Sequence, residues 1–268
     1  MDGVALAGTG APRHKHEREL MKSLSLKTLR VLKLALAAVV MVSLAGSPAF
    51  AGGGDHGNPN PGIAPIKSKP YGQSYDEWTV DWWQWALSIP ADHNPLLDET
   101  GADAAQGQGG PVWFLCGVFN ATGTAERTIS VPEGKALFFP IINFSWVSTL
   151  PTDPQTADAI RAIIAPAADA ATDLSCELDG VPVRHLGSYR TESPLFDVTL
   201  PANNIFGIDA GTYGPSMDEG YYLMMLPLEP GEHCLHFHGS QPDTIPPYWT
   251  PFAVDITYHI KVGRQHRH

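Results

Sequence analysis

The stretch Ala253-Val254-Asp255-Ile256-Thr257-Tyr258-His259-Ile260-Lys261-Val262 alternates apolar and polar residues without a break. Successive side chains on a strand point to opposite faces, so Val254, Ile256, Tyr258, Ile260 and Val262 share one side and Asp255, Thr257, His259 and Lys261 the other. That is an antiparallel strand with one buried and one wet face. Upstream, residues 175–183, 190–200, 221–226 and 233–238 read as further strands. Pro111-Val112-Trp113-Phe114-Leu115-Cys116-Gly117-Val118-Phe119 reads as a strand covered on both sides. Residues 128–131 and 136–147 flank Pro132-Glu133-Gly134, a turn signal that predicts a hairpin. Seven or eight strands with no βαβ rhythm predict a mainly β chain: an antiparallel β-sandwich, jelly-roll or immunoglobulin-like.

Two helical segments interrupt this pattern. Ser74 and Glu77 have capping-box spacing ahead of residues 75–87, and Pro90 ends the run. Tyr75, Trp78, Trp82 and Trp85 fall at steps of three and four on one face of the predicted Trp-rich helix. Residues 152–173 form an Ala-rich helical insert, with Pro154 suited to a first turn and Pro166 expected to break or kink it. Residues 91–110 are a long polar loop.

The N-terminal 51 residues read as a leader. From Met21, Lys22, Lys27, Arg30 and Lys33 precede the apolar run 34–44, and Ala49-Phe50-Ala51 is a cleavage signal. The apolar run falls short of a bilayer span, and Ser47 stands where a lipid-bearing cysteine would have to be, so no stable membrane anchor is expected. Residues 1–20 precede the signal and are set outside the fold. Residues 52–73 read as a flexible linker, 74–263 as a single β-sandwich domain and 264–268 as a tail. Cleavage near Ala51 predicts a periplasmic or secreted protein of 217 residues, with 10 basic and 25 acidic side chains and a net charge of −15. That sign excludes a phosphate-tracking nucleic-acid binder and disfavours an anionic membrane surface. A glycan, a small molecule, a cation or an envelope component fits it.

Trp82-Trp83-Gln84-Trp85, Ser88-Ile89-Pro90, Asn94-Pro95, the run 110–115, Val131-Pro132-Glu133-Gly134-Lys135, Phe138-Phe139-Pro140 and Asn143 together resemble an uncharacterised family of exported bacterial proteins. Pro230-Gly231-Glu232-His233 and Asp255-Ile256-Thr257-Tyr258 extend the resemblance over most of residues 71–263. It implies an exported bacterial domain and no catalytic residue. Relatives often carry a cysteine soon after the Thr-Gly of the loop. This chain has Ala102, Asp103 and Ala104 there.

Three groups of residues point to chemistry. In Glu232-His233-Cys234-Leu235-His236-Phe237-His238, alternation puts Cys234, His236 and His238 on one side as candidate zinc or copper ligands. Trp83, off the main aromatic stripe, is the candidate for stacking on a sugar. Asp98 and Asp103, in Asp98-x-Thr100-x-x-Asp103, offer oxygen ligands to calcium, a weaker signal because the full twelve-residue calcium loop is missing. Asp81, Asp98 and Glu99 are the carboxylates from which a glycosidase pair would be drawn. The chain has no G-x-S-x-G, phosphate-loop, dinucleotide or H-E-x-x-H pattern. Cys116, Cys176 and Cys234 predict one disulfide and one thiol, with three pairings open. A Cys176–Cys234 bridge would close about 60 residues and stabilise by roughly 4 kcal/mol. No cofactor follows from these patterns. The leading expectation is a non-catalytic exported ligand- or envelope-binding protein, and the alternative a zinc or copper enzyme or metal-handling protein using Cys234, His236 and His238.

Overall fold

The structure, a computed structural model, describes residues 4–6 and 59–263. Residues 21–51, read above as a signal peptide, and residues 264–268, read as a tail, lie outside the described residues. The described chain is mainly β, with two sheets of mixed parallel and antiparallel strands and two α-helices. No described helix is long and apolar enough to cross a membrane.

One sheet holds β1 (Val4–Leu6), β2 (Val112–Phe114), β4 (Ala136–Val147), β7 (Arg190–Glu192), β8 (Phe196–Leu200) and β9 (Gly211–Met225), with β4 and β9 at its centre. The other runs in the order β3 (Thr124–Pro132), β11 (Phe252–Gly263), β10 (Gly231–Gln241), β5 (Thr172–Leu178) and β6 (Val181–Pro182). Phe139 of β4 stacks on Phe237 of β10 with ring centroids 5.0 Å apart, which joins the two sheets in one core. The opposite face of the β4–β9 sheet is covered by helix α1 (Tyr75–Ser88), through Trp82 against Tyr222 and Tyr75 against Phe138.

Helix α1 begins where the capping box places it: the Ser74 N–H donates to Glu77 Oε2 at 2.8 Å. Its aromatic stripe is buried, and three indoles also donate to loop carbonyls: Trp78 to Pro70, Trp82 to Leu115 and Trp85 to Gln106. These bonds let large rings be buried without stranding their N–H groups. Helix α2 (Ala157–Asp169) starts from Thr156, whose Oγ1 accepts from the Ala159 N–H. Pro154 therefore lies before the helix, and Pro166 sits within its last turns without ending it.

Several expectations are corrected. Pro132-Glu133-Gly134 does not close a hairpin, because β3 and β4 belong to different sheets and the turn carries the chain between them. The sheets are not purely antiparallel: β3 runs parallel to β11 and β2 parallel to β4. Strands joined by long connections escape the antiparallel pairing that short turns impose. The apolar run 111–119 is a strand only over Val112–Phe114. Beyond it the carbonyls of Cys116 and Gly117 accept from the buried Arg127. The linker does not extend to residue 73. Ile63 is buried, Asn60 pairs with the backbone of Arg184, and the Ala64 N–H donates to the Met224 carbonyl. Residues 4–6 pair antiparallel with 145–147, so they are not outside the fold. The three cysteines are free. Cys176 faces the core opposite Phe237, whereas Cys234 is exposed on the other face, so a bridge between them cannot form.

Candidate functional site

The outward face of the five-stranded sheet carries most of the ionisable side chains singled out above. Leu235 and Phe237 of β10 and Ile256, Tyr258 and Ile260 of β11 are buried, which turns Cys234, His236, His238, Asp255, Thr257, His259 and Lys261 outward. Glu126 and Thr128 of β3 and Glu177 of β5 join them, because they occupy the same rows of the ladder. An open groove of about 450 Å3 crosses this face, lined by Thr128, Asp179, Glu232, His233, Cys234, His259 and Lys261.

The histidines are held by carboxylates. His236 Nε2 lies 2.8 Å from Asp255 Oδ1, His259 Nε2 lies 2.8 Å from Glu126 Oε1, and His238 Nδ1 stands 4.0 Å from Asp255. His233 uses both ring nitrogens, on Asp179 Oδ2 at 2.7 Å and the Glu229 carbonyl at 2.9 Å. Partial burial lowers the basicity of His233, but the hydrogen bonds to Asp179 and Glu229 and the Asp179 charge outweigh it, so its pKa is raised. Asp179 and Gly180 have positive φ in the β5–β6 turn, which aims the Asp179 carboxylate at both His233 and the Cys234 N–H.

Cys234, His236 and His238 stand in a row along β10. In the positions the side chains occupy, no group of three or more His, Cys, Asp or Glu among the described residues converges to hold a metal ion. Asp98 is occupied within its own loop: its carboxylate accepts from the Thr100 N–H and hydroxyl and from the Asp103 N–H. Burial alone would raise its pKa, yet these bonds lower it. Asp103 meets His93 at 3.3 Å. Trp83 is 1% exposed and packs edge-on against Trp82 at 4.9 Å, so it presents no ring face to a sugar.

Two buried polar centres had no sequence pattern to mark them. Arg127 of β3 is 1% exposed, and its guanidinium donates to the carbonyls of Pro95, Asp98, Cys116 and Gly117 and to the Tyr258 hydroxyl. Among the described residues no carboxylate is in contact with it. Carbonyl dipoles solvate the cation, and they pin the polar loop to the sheet. Alternation along β3 places position 127 inward, but only the loop's return supplies the acceptors.

The second centre is Asp218 of β9, fully buried beneath α1. Tyr222 Oη donates to its Oδ2 at 2.8 Å, and Asn143 Nδ2 donates to Tyr222 Oη at 2.7 Å and lies 3.3 Å from Oδ1. The Trp83 indole N–H acts electrostatically on Asp218 and Tyr222 but makes no aligned hydrogen bond. Gly220 makes the arrangement fit: a Cβ there would come within 2.6 Å of Asn143 Cα and Cβ. Burial pushes the Asp218 pKa up to about 8, against the pull of Trp83, Tyr222 and Asn143. The neighbouring crevice, lined by Trp82, Trp83, Phe119 and Asn143 among others, measures about 20 Å3, room for about one water. Asp218 is fully buried, with its carboxylate taken up by Tyr222 and Asn143 of the same sheet.

The β10–β11 face is thus the place where ionisable groups meet solvent in a concave surface. Comparison with protein-family models, with curated proteins and with solved structures gave no match for this chain.

Proposed function

We propose that this is an exported, non-catalytic ligand- or envelope-binding protein, built as a β-sandwich whose five-stranded face, open among the described residues, meets the ligand. The observation that carries the reading is the open groove of about 450 Å3 on that face, where Asp179, Glu232, His233, His259 and Lys261 surround Cys234. Its volume lies in the range of small-molecule sites. Side chains of both signs at its rim suit a polar ligand, and the acidic balance of residues 52–268 favours a neutral or cationic one. Export is supported by the leader pattern in residues 21–51. The readings of Trp83 as a sugar platform and of Asp98 and Asp103 as a calcium loop lose support, since the first is buried and Asp98 is spent on its own loop.

The test is a nitrogen-15 NMR titration of the full chain with chitotriose, spermidine and trilysine in turn. The expected result is a saturable shift of the Thr128, Cys234, His259 and Lys261 amides with at least one probe, lost in the His233→Ala/His259→Ala double variant. Silence of these amides with all three probes overturns the reading.

A further inference from the structure

We infer that Cys234, His236 and His259 form a cross-strand binding site for a thiophilic divalent metal ion such as zinc, with Glu126 and Asp255 as supporting carboxylates. This rests on the same sheet face proposed above to bind a ligand, and it names a class for that ligand.

The ladder register carries the argument. Cys234 and His259 are direct partners across β10 and β11, on the same outward face. Direct partners hold their Cβ atoms about 5 Å apart, and the diagonal neighbour two residues along lies about 7 Å away. His236 occupies that diagonal position, so the three side chains form a compact triangle. The one-strand set fails on length: Cys234 and His238 are four residues apart, about 13 Å along a strand, too far to share one ion with bonds of about 2.0 to 2.3 Å.

The hydrogen bonds select the same pair of histidines. His236 and His259 each engage a carboxylate through Nε2, leaving Nδ1 without a hydrogen bond among the described residues. A ring nitrogen held by a carboxylate while the other faces the ion is the usual second layer of a metal-bound imidazole. His233 is excluded, because both its nitrogens are occupied. Cys234 is exposed and free, and its thiol opens into the groove. No three donors meet in the positions seen here, so binding requires the His236 and His259 side chains to rotate toward Cys234. On binding, the thiol proton passes to solvent and the thiolate takes its place on the ion.

The experiment titrates the reduced full chain with cobalt(II), whose charge-transfer absorption in the near-ultraviolet reports a thiolate ligand, and then displaces cobalt with zinc. The expected result is one equivalent of cobalt with a thiolate band, abolished in Cys234→Ser. Affinity should fall at least about tenfold in His236→Ala and in His259→Ala, and by about tenfold in Glu126→Gln. His238→Ala and His233→Ala should retain the band. No thiolate band, or a band indifferent to His259→Ala, overturns the inference. Because the substituted residues are on the solvent face, unchanged far-ultraviolet dichroism separates loss of the site from loss of the fold. A failure here with amide shifts still produced by chitotriose, spermidine or trilysine removes the metal and leaves the binding function standing.

Discussion

Replacing Asp218 by Asn should remove a large pH dependence of stability. The carboxyl is fully buried, takes its hydrogen bonds from the neutral groups Tyr222 and Asn143, and has its pKa pushed up to about 8 from 3.8. The native state therefore holds this proton more tightly than the unfolded chain does. Its stabilising effect is complete below about pH 4, is lost progressively as pH rises toward 8, and is flat beyond. Each pH unit within that window is worth about 1.4 kcal/mol, so from pH 5 to 7.5 the group costs the wild type about 3 kcal/mol. Asn cannot titrate. Whatever constant offset it introduces, the difference in unfolding free energy between wild type and Asp218→Asn should shift by about 3 kcal/mol over this range, in favour of the variant at the higher pH. Urea unfolding followed by tryptophan fluorescence at half-unit intervals measures it. A difference that stays constant within about 0.5 kcal/mol from pH 5 to 7.5 refutes the reasoning, because it would mean that Asp218 ionises as freely in the folded protein as in the unfolded chain.

Three further outcomes follow from the geometry. Arg127→Met strands the carbonyls of Pro95, Asp98 and Gly117, and should cost about 3 kcal/mol in urea unfolding and expose residues 94–110 to proteases before global unfolding. Gly123→Ala puts a Cβ 1.8 Å from the Ala253 carbonyl oxygen at φ +68°, and should destabilise by more than about 2 kcal/mol. A thiol reagent should titrate one cysteine in the native protein, Cys234, and three in denaturant. A lower total in denaturant would reveal a disulfide that the free cysteines of the structure exclude.

How much was legible depended on the range of the interactions. The alternation of β11 and the capping box of α1 are local, and both appear where their patterns place them. Strand β9 was legible only at its apolar end: Gly214, Pro215, Asp218 and Gly220 hide ten residues of strand, because each is tolerated by a distant partner that the local sequence does not name. Gly220 is the space into which Asn143 fits. Arg127 is held inside by the carbonyls of Pro95, Asp98, Cys116 and Gly117, which come from a segment that its own strand does not name. The turn at Pro132-Glu133-Gly134 was recognised as a turn, but whether it joins neighbours or crosses between sheets is a property of the whole topology.

By itself the chain determined which residues turn inward and which outward along β10 and β11, since a strand's two-residue period needs no partner to express it. Only the tertiary structure decided which strands lie side by side. That choice sets His259 opposite Cys234, Glu126 beside His259 and Cys176 on the far side of the sheet from Cys234. Register between segments distant in the chain is settled by the joint packing of both faces, and no local stretch of residues encodes it.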